Sequence, residues 1–111
     1  MADCIFCKIR DKHIPKEFIY EDEDVMVFPD LHPIKPVHLL IMPKKHVPDF
    51  LTLDPKEGKL MGKLVTAIQK MVEKYNLRDK GYRIVVNGGG AQIVPHLHIH
   101  LTGPWGRAAA L

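Results

Sequence analysis

Two short β-prone runs come first in the pattern of apolar and polar positions. Residues 18–21 and 24–28 are rich in aromatic and β-branched side chains, and Pro29-Asp30 ends the second run. Two such runs separated by acidic residues predict a β-hairpin. Residues 37–42 form a mostly apolar strand closed by Pro43, which belongs at a strand end because it has no N–H for the ladder.

The clearest element is an amphipathic helix, predicted over residues 55–76. Apolar residues recur there at spacings of three and four, the period of a helix with one buried face. They are Leu60, Met61, Leu64, Val65, Ile68, Met71, Val72 and Tyr75. Asp54 is the predicted N-cap, Pro55 suits the first turn, and Lys74 complements the helix dipole at the other end. We interpret the apolar stripe as core-facing.

Two further strands are predicted after the helix, over residues 82–87 and 95–102. The glycines Gly88-Gly89-Gly90 between them predict either a hairpin turn or a loop whose N–H groups approach a phosphate. The element order is hairpin, strand, long helix and hairpin, which predicts an α+β fold with a mainly antiparallel sheet. No repeat or linker interrupts the sequence, so we expect one domain over residues 1–111.

Composition excludes several classes of protein. The 111 residues are 46% hydrophobic, enough for a core without disulfides. No apolar run approaches the ~20 residues of a membrane span, and the first residues lack the layout of a secretory signal. We therefore expect a cytoplasmic protein that is not bound to a membrane. With 16 basic and 13 acidic side chains the formal charge is only +3, which argues against nucleic acid as the main ligand.

Histidines carry the candidate chemistry. His96, His98 and His100 alternate with Leu97 and Ile99, so in a strand the three imidazoles share one face. Same-face positions lie about 6.6–6.8 Å apart along a strand, so these rings can contact one substrate group or form a hydrogen-bonded row. Imidazole titrates near neutral pH and acts as nucleophile, proton donor or proton acceptor. The alternation therefore indicates a reactive face opposite an apolar one.

Cys4 and Cys7 form a C-x-x-C motif, which in an intracellular protein is more often metal-binding or redox-active than a structural disulfide. Two thiols alone do not complete a zinc site, because tetrahedral zinc takes four nitrogen or sulfur ligands. His46 and one histidine of the row are available as further ligands. The alternative is a pair of reduced cysteines without a metal.

The segment from Gln92 to Leu101 resembles the signature of the histidine triad family. Further segments occur in the same order as in the histidine triad nucleotide-binding proteins and extend the resemblance over nearly the whole chain. They are Ile14-Pro15, Tyr20-Glu21-Asp22, Phe28-Pro29-Asp30, residues 36–41, Pro43-Lys44-Lys45-His46 and residues 82–87. The resemblance implies an α+β fold with a five-stranded, mainly antiparallel sheet, one long helix and a short N-terminal helix. It also implies a homodimer.

The resemblance further implies an activity. Proteins of this family hydrolyse or transfer nucleoside monophosphate groups from phosphoramidates or dinucleoside polyphosphates, so conjugates of adenosine or guanosine monophosphate are the implied partners. By resemblance, His98 attacks the α-phosphorus and forms a covalent nucleotidyl-histidine, which water hydrolyses without a catalytic metal. His100 is implied to bond the phosphate or the leaving group, and His38 to hydrogen-bond within the row.

Nucleotide contacts are implied at eight positions. They are Phe28, Asp30, Leu31, Asn87, Gly90, Gln92, His98 and His100. Asp30 resembles the carboxylate that binds the ribose hydroxyls, which suits an acceptor facing two vicinal donors. Phe28 and Leu31, together with Phe18, are interpreted as flanking the base, with core packing as the alternative interpretation. The loop between Asn87 and His96 is shorter than in the family.

A structural zinc ion is implied by the same resemblance. The implied ligands are Cys4, Cys7, His46 and His96. Two other functions stay open on the sequence. One is a zinc hydrolase in which His96, His98 and His100 hold a metal that activates water, although this leaves the cysteines without a role. The other is a non-catalytic, zinc-stabilised module that binds nucleotides.

Overall fold

Five antiparallel strands form one sheet in a computed structural model that describes residues 4–108. In chain order they are β1 (Tyr20–Glu21), β2 (Val25–Pro29), β3 (Val37–Pro43), β4 (Arg83–Val86) and β5 (Ile99–Gly103). Their order in the sheet is β1-β2-β3-β5-β4, and every neighbouring pair is antiparallel. The predicted five-stranded antiparallel sheet is confirmed. The predicted single domain over 1–111 stays a prediction, and its first and last three residues lie outside the described residues.

Two α-helices accompany the sheet, α1 (Ile5–Arg10) and α2 (Gly58–Lys74). The amphipathic helix is confirmed, but its predicted start and its predicted Asp54 cap are wrong. Glu57 is the N-cap residue, and its side chain makes no capping bond. Asp54 instead accepts the backbone N–H of Lys56 at 2.9 Å, which closes a separate turn before the helix.

Within residues 4–108, neither helix combines the length and the apolar character that a membrane span requires. The cytoplasmic location stays a prediction.

The two faces of the sheet bury different cores. Successive side chains of β2 point alternately into the two cores, so the sequence of this strand is continuously apolar. The face against α2 buries Val25, Val27, Leu39, Ile41, Leu64, Ile68, Met71, Ile99 and Leu101. The face against α1 buries Phe6, Cys7, Ile9, Met26, Phe28, Leu40 and Met42. Each fully buried large apolar side chain contributes about 1.5–3 kcal/mol, so both faces add to stability.

β5 begins later than predicted, at Ile99 rather than at residue 95. The register of β3 and β5 would place Leu97 opposite Pro43, which has no N–H for a ladder bond. Leu97 donates instead to the carbonyl oxygen of Val47 at 2.6 Å. The predicted alternation nevertheless holds, because Leu97 and Ile99 line the α2 side while the rings of His96 and His98 contact Phe6 of α1.

Candidate active site

His98 lies buried on the α1 face of the sheet, with its ring centroid 5.1 Å from that of Phe6. Its Nδ1 is 2.8 Å from the backbone carbonyl oxygen of His96. A carbonyl oxygen only accepts, so Nδ1 of His98 carries the proton and donates it to that oxygen. In the neutral ring, Nε2 then carries the lone pair that a nucleophile requires.

His38 and His100 form a pair beside His98, and hydrogen bonds also assign the positions of their ring protons. The N–H of Ile34 donates to Nδ1 of His38 at 3.1 Å, so the proton of His38 is on Nε2. That nitrogen donates to Nδ1 of His100 at 2.9 Å. His100 therefore carries its own proton on Nε2, where it is a donor. The ring centroids of His98 and His100 lie 5.1 Å apart, so an imidazole that can act as a nucleophile lies beside one that can donate a hydrogen bond.

Asp30 approaches the same pair from the end of β2. Its Oδ2 is 3.3 Å from Nε2 of His38 and 4.0 Å from Nδ1 of His100, while Oδ1 accepts the N–H of His32 at 2.8 Å. Burial, together with the neighbouring His98 and His38, lowers the pKa of His100 despite this carboxylate. His100 is therefore neutral at physiological pH, as its role as acceptor at Nδ1 requires.

Asp30, His38 and His100 also lie close enough together to hold a metal ion. A metal on Nε2 of His38 would require the imidazole proton on Nδ1, yet Nδ1 already accepts the N–H of Ile34. The hydrogen bonds of His38 thus favour a proton on its Nε2, donated to His100, over a metal ion held by Asp30, His38 and His100.

The predicted base-flanking residues divide into exposed and buried. Leu31 is 77% exposed and lines a cavity of about 580 Å³ together with Asp30 and Phe18. Phe28 is fully buried and stacks below Phe18, with ring centroids 6.1 Å apart. Phe18 is thus the aromatic side chain at the cavity surface, and Phe28 supports it. Lys16 lines the cavity as well, and no pattern in the sequence pointed to it.

The loop predicted to contact phosphate is fixed to the segment before the 3-10 helix Phe50–Thr52. Asp49 Oδ2 accepts the N–H of Gly89 at 3.0 Å. Gln92 accepts the N–H of Gly90 at 3.0 Å through Oε1 and donates from Nε2 to the carbonyl oxygen of Pro48 at 3.3 Å. Gly89 and Gly90 have φ values of +64° and +94°, which L side chains rarely adopt. Sequence reasoning missed Asp49, a loop carboxylate with no motif around it.

Asn87 lies half-buried between the end of β4 and this loop, so the predicted nucleotide contacts Asn87, Gly90 and Gln92 share one segment of chain. Ile93 follows Gln92 in this segment, and its side chain is 96% exposed.

Cys4, Cys7, His46 and His96 converge at the start of α1. The Sγ of Cys4 is 3.4 Å from Nδ1 of His96, and the Sγ of Cys7 is 3.3 Å from Nδ1 of His46 and 3.7 Å from Nδ1 of His96. Around a tetrahedral zinc, with bonds of about 2.3 Å to sulfur and 2.0–2.1 Å to nitrogen, such atoms lie about 3.5 Å apart. The four residues therefore fit a zinc ion.

His96 is oriented for this cluster by its other ring nitrogen. Nε2 donates to the carbonyl oxygen of Pro43 at 2.8 Å, which leaves the lone pair of Nδ1 facing the thiols. Burial lowers the pKa of His96 to about 4, so the ring is neutral. Burial and the neighbouring Cys4 raise the pKa of the Cys7 thiol to about 11, so a metal must displace a proton that is otherwise retained at neutral pH.

The arrangement does not support the alternative of a three-histidine zinc site. Both ring nitrogens of His96 are engaged away from His98 and His100, one with Pro43 and one with the thiols. Within residues 4–108, the groups close enough to hold a metal are the cysteine cluster and the Asp30 group.

Known proteins of similar sequence and structure agree with these observations. The family model described as "Scavenger mRNA decapping enzyme C-term binding" matches residues 3–108. Protein HitA of Neisseria gonorrhoeae is 39% identical over 105 residues, which cover 93% of this chain and 97% of HitA.

Solved structures show the same likeness. A HIT family hydrolase from Legionella pneumophila has a TM-score of 0.87 at 36% identity, covering 97% of this chain and 96% of that one. A histidine triad nucleotide-binding protein from Candida albicans has a TM-score of 0.81 at 27% identity, covering 98% and 86%. The chain belongs to the histidine triad (HIT) family.

Proposed function

We propose that the protein hydrolyses conjugates of nucleoside monophosphates, namely phosphoramidates or dinucleoside polyphosphates, through a covalent intermediate on His98. The observation that carries this proposal is the pair formed by the free Nε2 lone pair of His98 and the Nε2–H of His100. The similarity to a HIT family hydrolase and to a histidine triad nucleotide-binding protein supports the reaction class and the ligand class.

The reaction proceeds in two displacements. In the first, Nε2 of His98 forms a bond to the α-phosphorus and the bond from phosphorus to the leaving group breaks, with its electron pair going to the leaving atom. A departing amine takes a proton from solvent. In the second, a water oxygen bonds to phosphorus, the electron pair of the P–N bond returns to Nε2, and a proton of the water passes to solvent.

Each contact around the phosphorus has a defined part in these steps. The carbonyl oxygen of His96 stabilises the cationic ring of His98 by accepting from Nδ1. His100 donates to a phosphate oxygen or to the leaving group as negative charge develops. Asp30 is placed beside the cavity that takes the nucleoside, where its carboxylate accepts from the ribose hydroxyls of adenosine or guanosine.

The test of this function is to trap the intermediate. The protein is mixed with radiolabelled adenosine 5′-phosphoramidate or diadenosine tetraphosphate and quenched in base, and peptides are then mapped by mass spectrometry. We expect a base-stable, acid-labile adenylyl group on His98, because a P–N bond to imidazole survives base and hydrolyses in acid. Turnover without any label on His98 would contradict the covalent mechanism, and binding without turnover would favour the non-catalytic module.

We further propose that the cluster of Cys4, Cys7, His46 and His96 holds zinc in a structural role. When bound, zinc would supply a cross-link between α1, the segment after β3 and the segment before β5. Four protein ligands leave the ion no open position for water, so no step of the reaction is assigned to it.

A homodimer is also proposed, formed through α2 and β4. β4 is an edge strand of the sheet, and its apolar side chains Ile84 and Val86 are 48% and 37% exposed. They line a groove of about 730 Å³ together with residues of α2. A two-fold axis at this surface would cover both the apolar groove and the unpaired strand edge.

Ile84→Lys is expected to convert the dimer to a monomer, because it would bury a charge on each side of the two-fold axis. Ile93→Lys is the matched control, since Ile93 is 96% exposed in a loop. Sedimentation should give twice the 12.6 kDa chain mass for the wild type and the control, and 12.6 kDa for Ile84→Lys. A wild type that stays at 12.6 kDa at micromolar concentration would contradict the dimer.

A further inference from the structure

Asp30 is fixed beside the histidine row by two hydrogen bonds to backbone groups. Its own N–H donates to the carbonyl oxygen of His38 at 2.9 Å, and its Oδ1 accepts the N–H of His32 at 2.8 Å. The main chain and one carboxylate oxygen of Asp30 are thus both engaged. Its side chain is 21% exposed and lines the cavity of about 580 Å³. Oδ2 is therefore the oxygen that remains for a ribose hydroxyl.

The same oxygen lies beside the proton that His38 donates. Nε2 of His38 is 2.9 Å from Nδ1 of His100, with which it forms a hydrogen bond, and 3.3 Å from Oδ2 of Asp30. Distance favours His100 as the acceptor. Charge favours Asp30, because hydrogen bonds to an ionised acceptor are roughly twice as strong as those between neutral groups. One N–H of His38 therefore has two acceptors within reach.

The choice between these acceptors determines what His100 can donate. When His38 donates to His100, Nδ1 of His100 is the acceptor and the proton of the His100 ring is on Nε2. When His38 donates to Asp30, Nδ1 of His100 has lost its donor, and the ring can carry its proton on Nδ1 instead. Nε2 of His100 then has a lone pair and cannot donate to a phosphate oxygen. The free carboxylate thus competes with the arrangement in which His100 is a donor.

Ribose hydroxyls remove this competition. A carboxylate offers about two lone-pair sites on each oxygen, so two vicinal hydroxyl donors fill those of Oδ2. The hydrogen bonds that fix the main chain and Oδ1 of Asp30 prevent the carboxylate from presenting a second free oxygen to His38. With ribose bound, His100 is the acceptor left for the proton of His38.

We infer that Asp30 is a positioning residue that couples recognition of the ribose to the proton on Nε2 of His100, an inference that rests on the proposed function. A nucleotide with both ribose hydroxyls sets the donor that faces the phosphate, whereas a nucleotide without them leaves the carboxylate free to compete. The ribose is therefore selected in the rate of the first displacement as well as in binding.

The experiment measures the single-turnover rate of adenylyl-His98 formation at saturating substrate, for adenosine 5′-phosphoramidate and for its 2′,3′-dideoxy analogue. In the wild type we expect the dideoxy substrate to react about 5-fold more slowly, the factor by which a hydrogen bond to a charged group outweighs a neutral one. Asp79→Ala is the control, because Asp79 is an exposed aspartate after α2. It should keep the wild-type ratio of the two rates.

Asp30→Asn separates the competing carboxylate from the lost ribose contact. The amide oxygen still accepts the N–H of His32, so the amide nitrogen, which only donates, lies towards His38. Both substrates should then react at the same rate, and faster than the dideoxy substrate does in the wild type. Asp30→Ala removes both oxygens and should show the same order of rates.

The proton itself is followed by 15N NMR of the imidazoles. Adenosine monophosphate should move the Nε2 signal of His100 towards the protonated position, and 2′,3′-dideoxyadenosine monophosphate should not. A ribose contact that only positions the substrate would give the wild type with the dideoxy substrate the same rate as Asp30→Asn with either substrate. That result, or equal NMR shifts with the two nucleotides, would overturn the coupling while adenylyl-His98 still forms. A wild type that forms no adenylyl-His98 with either substrate would instead overturn the proposed function, and the coupling with it.

Discussion

His98→Gly is expected to lower kcat more than about 100-fold while the protein stays folded, because it removes the attacking atom and little apolar surface. The ring is buried against Phe6, and within residues 4–108 its hydrogen bond is to a backbone oxygen, so no charged partner is left unpaired. Steady-state hydrolysis of adenosine 5′-phosphoramidate measures the loss, and circular dichroism measures the fold.

Two comparisons make this result specific. His13→Ala removes an exposed imidazole and should leave kcat unchanged. Free imidazole should partly restore turnover in His98→Gly, since it can occupy the space left by the ring and attack the phosphorus in its place. A folded His98→Gly protein that keeps more than a few per cent of wild-type kcat would exclude His98 as the nucleophile.

Removing zinc is expected to lower the melting temperature by more than about 10 °C. A ligand that binds only the folded chain at 100 times its Kd stabilises it by about 2.7 kcal/mol, and 1 kcal/mol corresponds to about 4–8 °C in a domain of this size. The ligands come from three distant segments of the chain, so losing the ion would remove a cross-link between α1 and the sheet. Elemental analysis and thermal melting with and without chelator measure the effect.

The double variant Cys4→Ser, Cys7→Ser is the control for this experiment. It should melt at the temperature of the chelated wild type, and chelator should not lower it further. The fraction that remains folded should still form adenylyl-His98. Protein that contains no zinc after purification without chelator would contradict the site. Folded, inactive zinc-free protein that regains turnover with zinc would place the metal in the reaction.

The periodicity of apolar residues predicted most of the helices and strands, because the pattern of neighbouring residues largely determines these elements. The three-and-four spacing around Leu64 and Ile68 identified α2, and the β-prone run over residues 24–28 identified β2. The errors fall where a competing contact decides the boundary. Asp54 accepts the N–H of Lys56 in a turn instead of capping α2, and Pro43 cannot extend its ladder opposite Leu97.

The candidate site was only partly predictable. Alternation alone placed His98 and His100 on one face, and the motifs pointed to the cysteine cluster. The proton positions depend on backbone groups, the N–H of Ile34 and the carbonyl oxygen of His96, and these groups leave no trace in residue type. Lys35, Arg83 and Trp105 come from three separate segments of the chain, and only the folded sheet brings their side chains together.

The bond between Nδ1 of His98 and the oxygen of His96 has a consequence for mutational robustness. Every amino acid at position 96 supplies the same backbone oxygen, so no substitution there can delete the acceptor that orients the nucleophile. An amide oxygen also carries no ionisable proton, unlike the carboxylate that orients histidine in serine hydrolases. A substitution at position 96 can therefore remove the imidazole while the backbone acceptor that sets the tautomer of His98 stays in place.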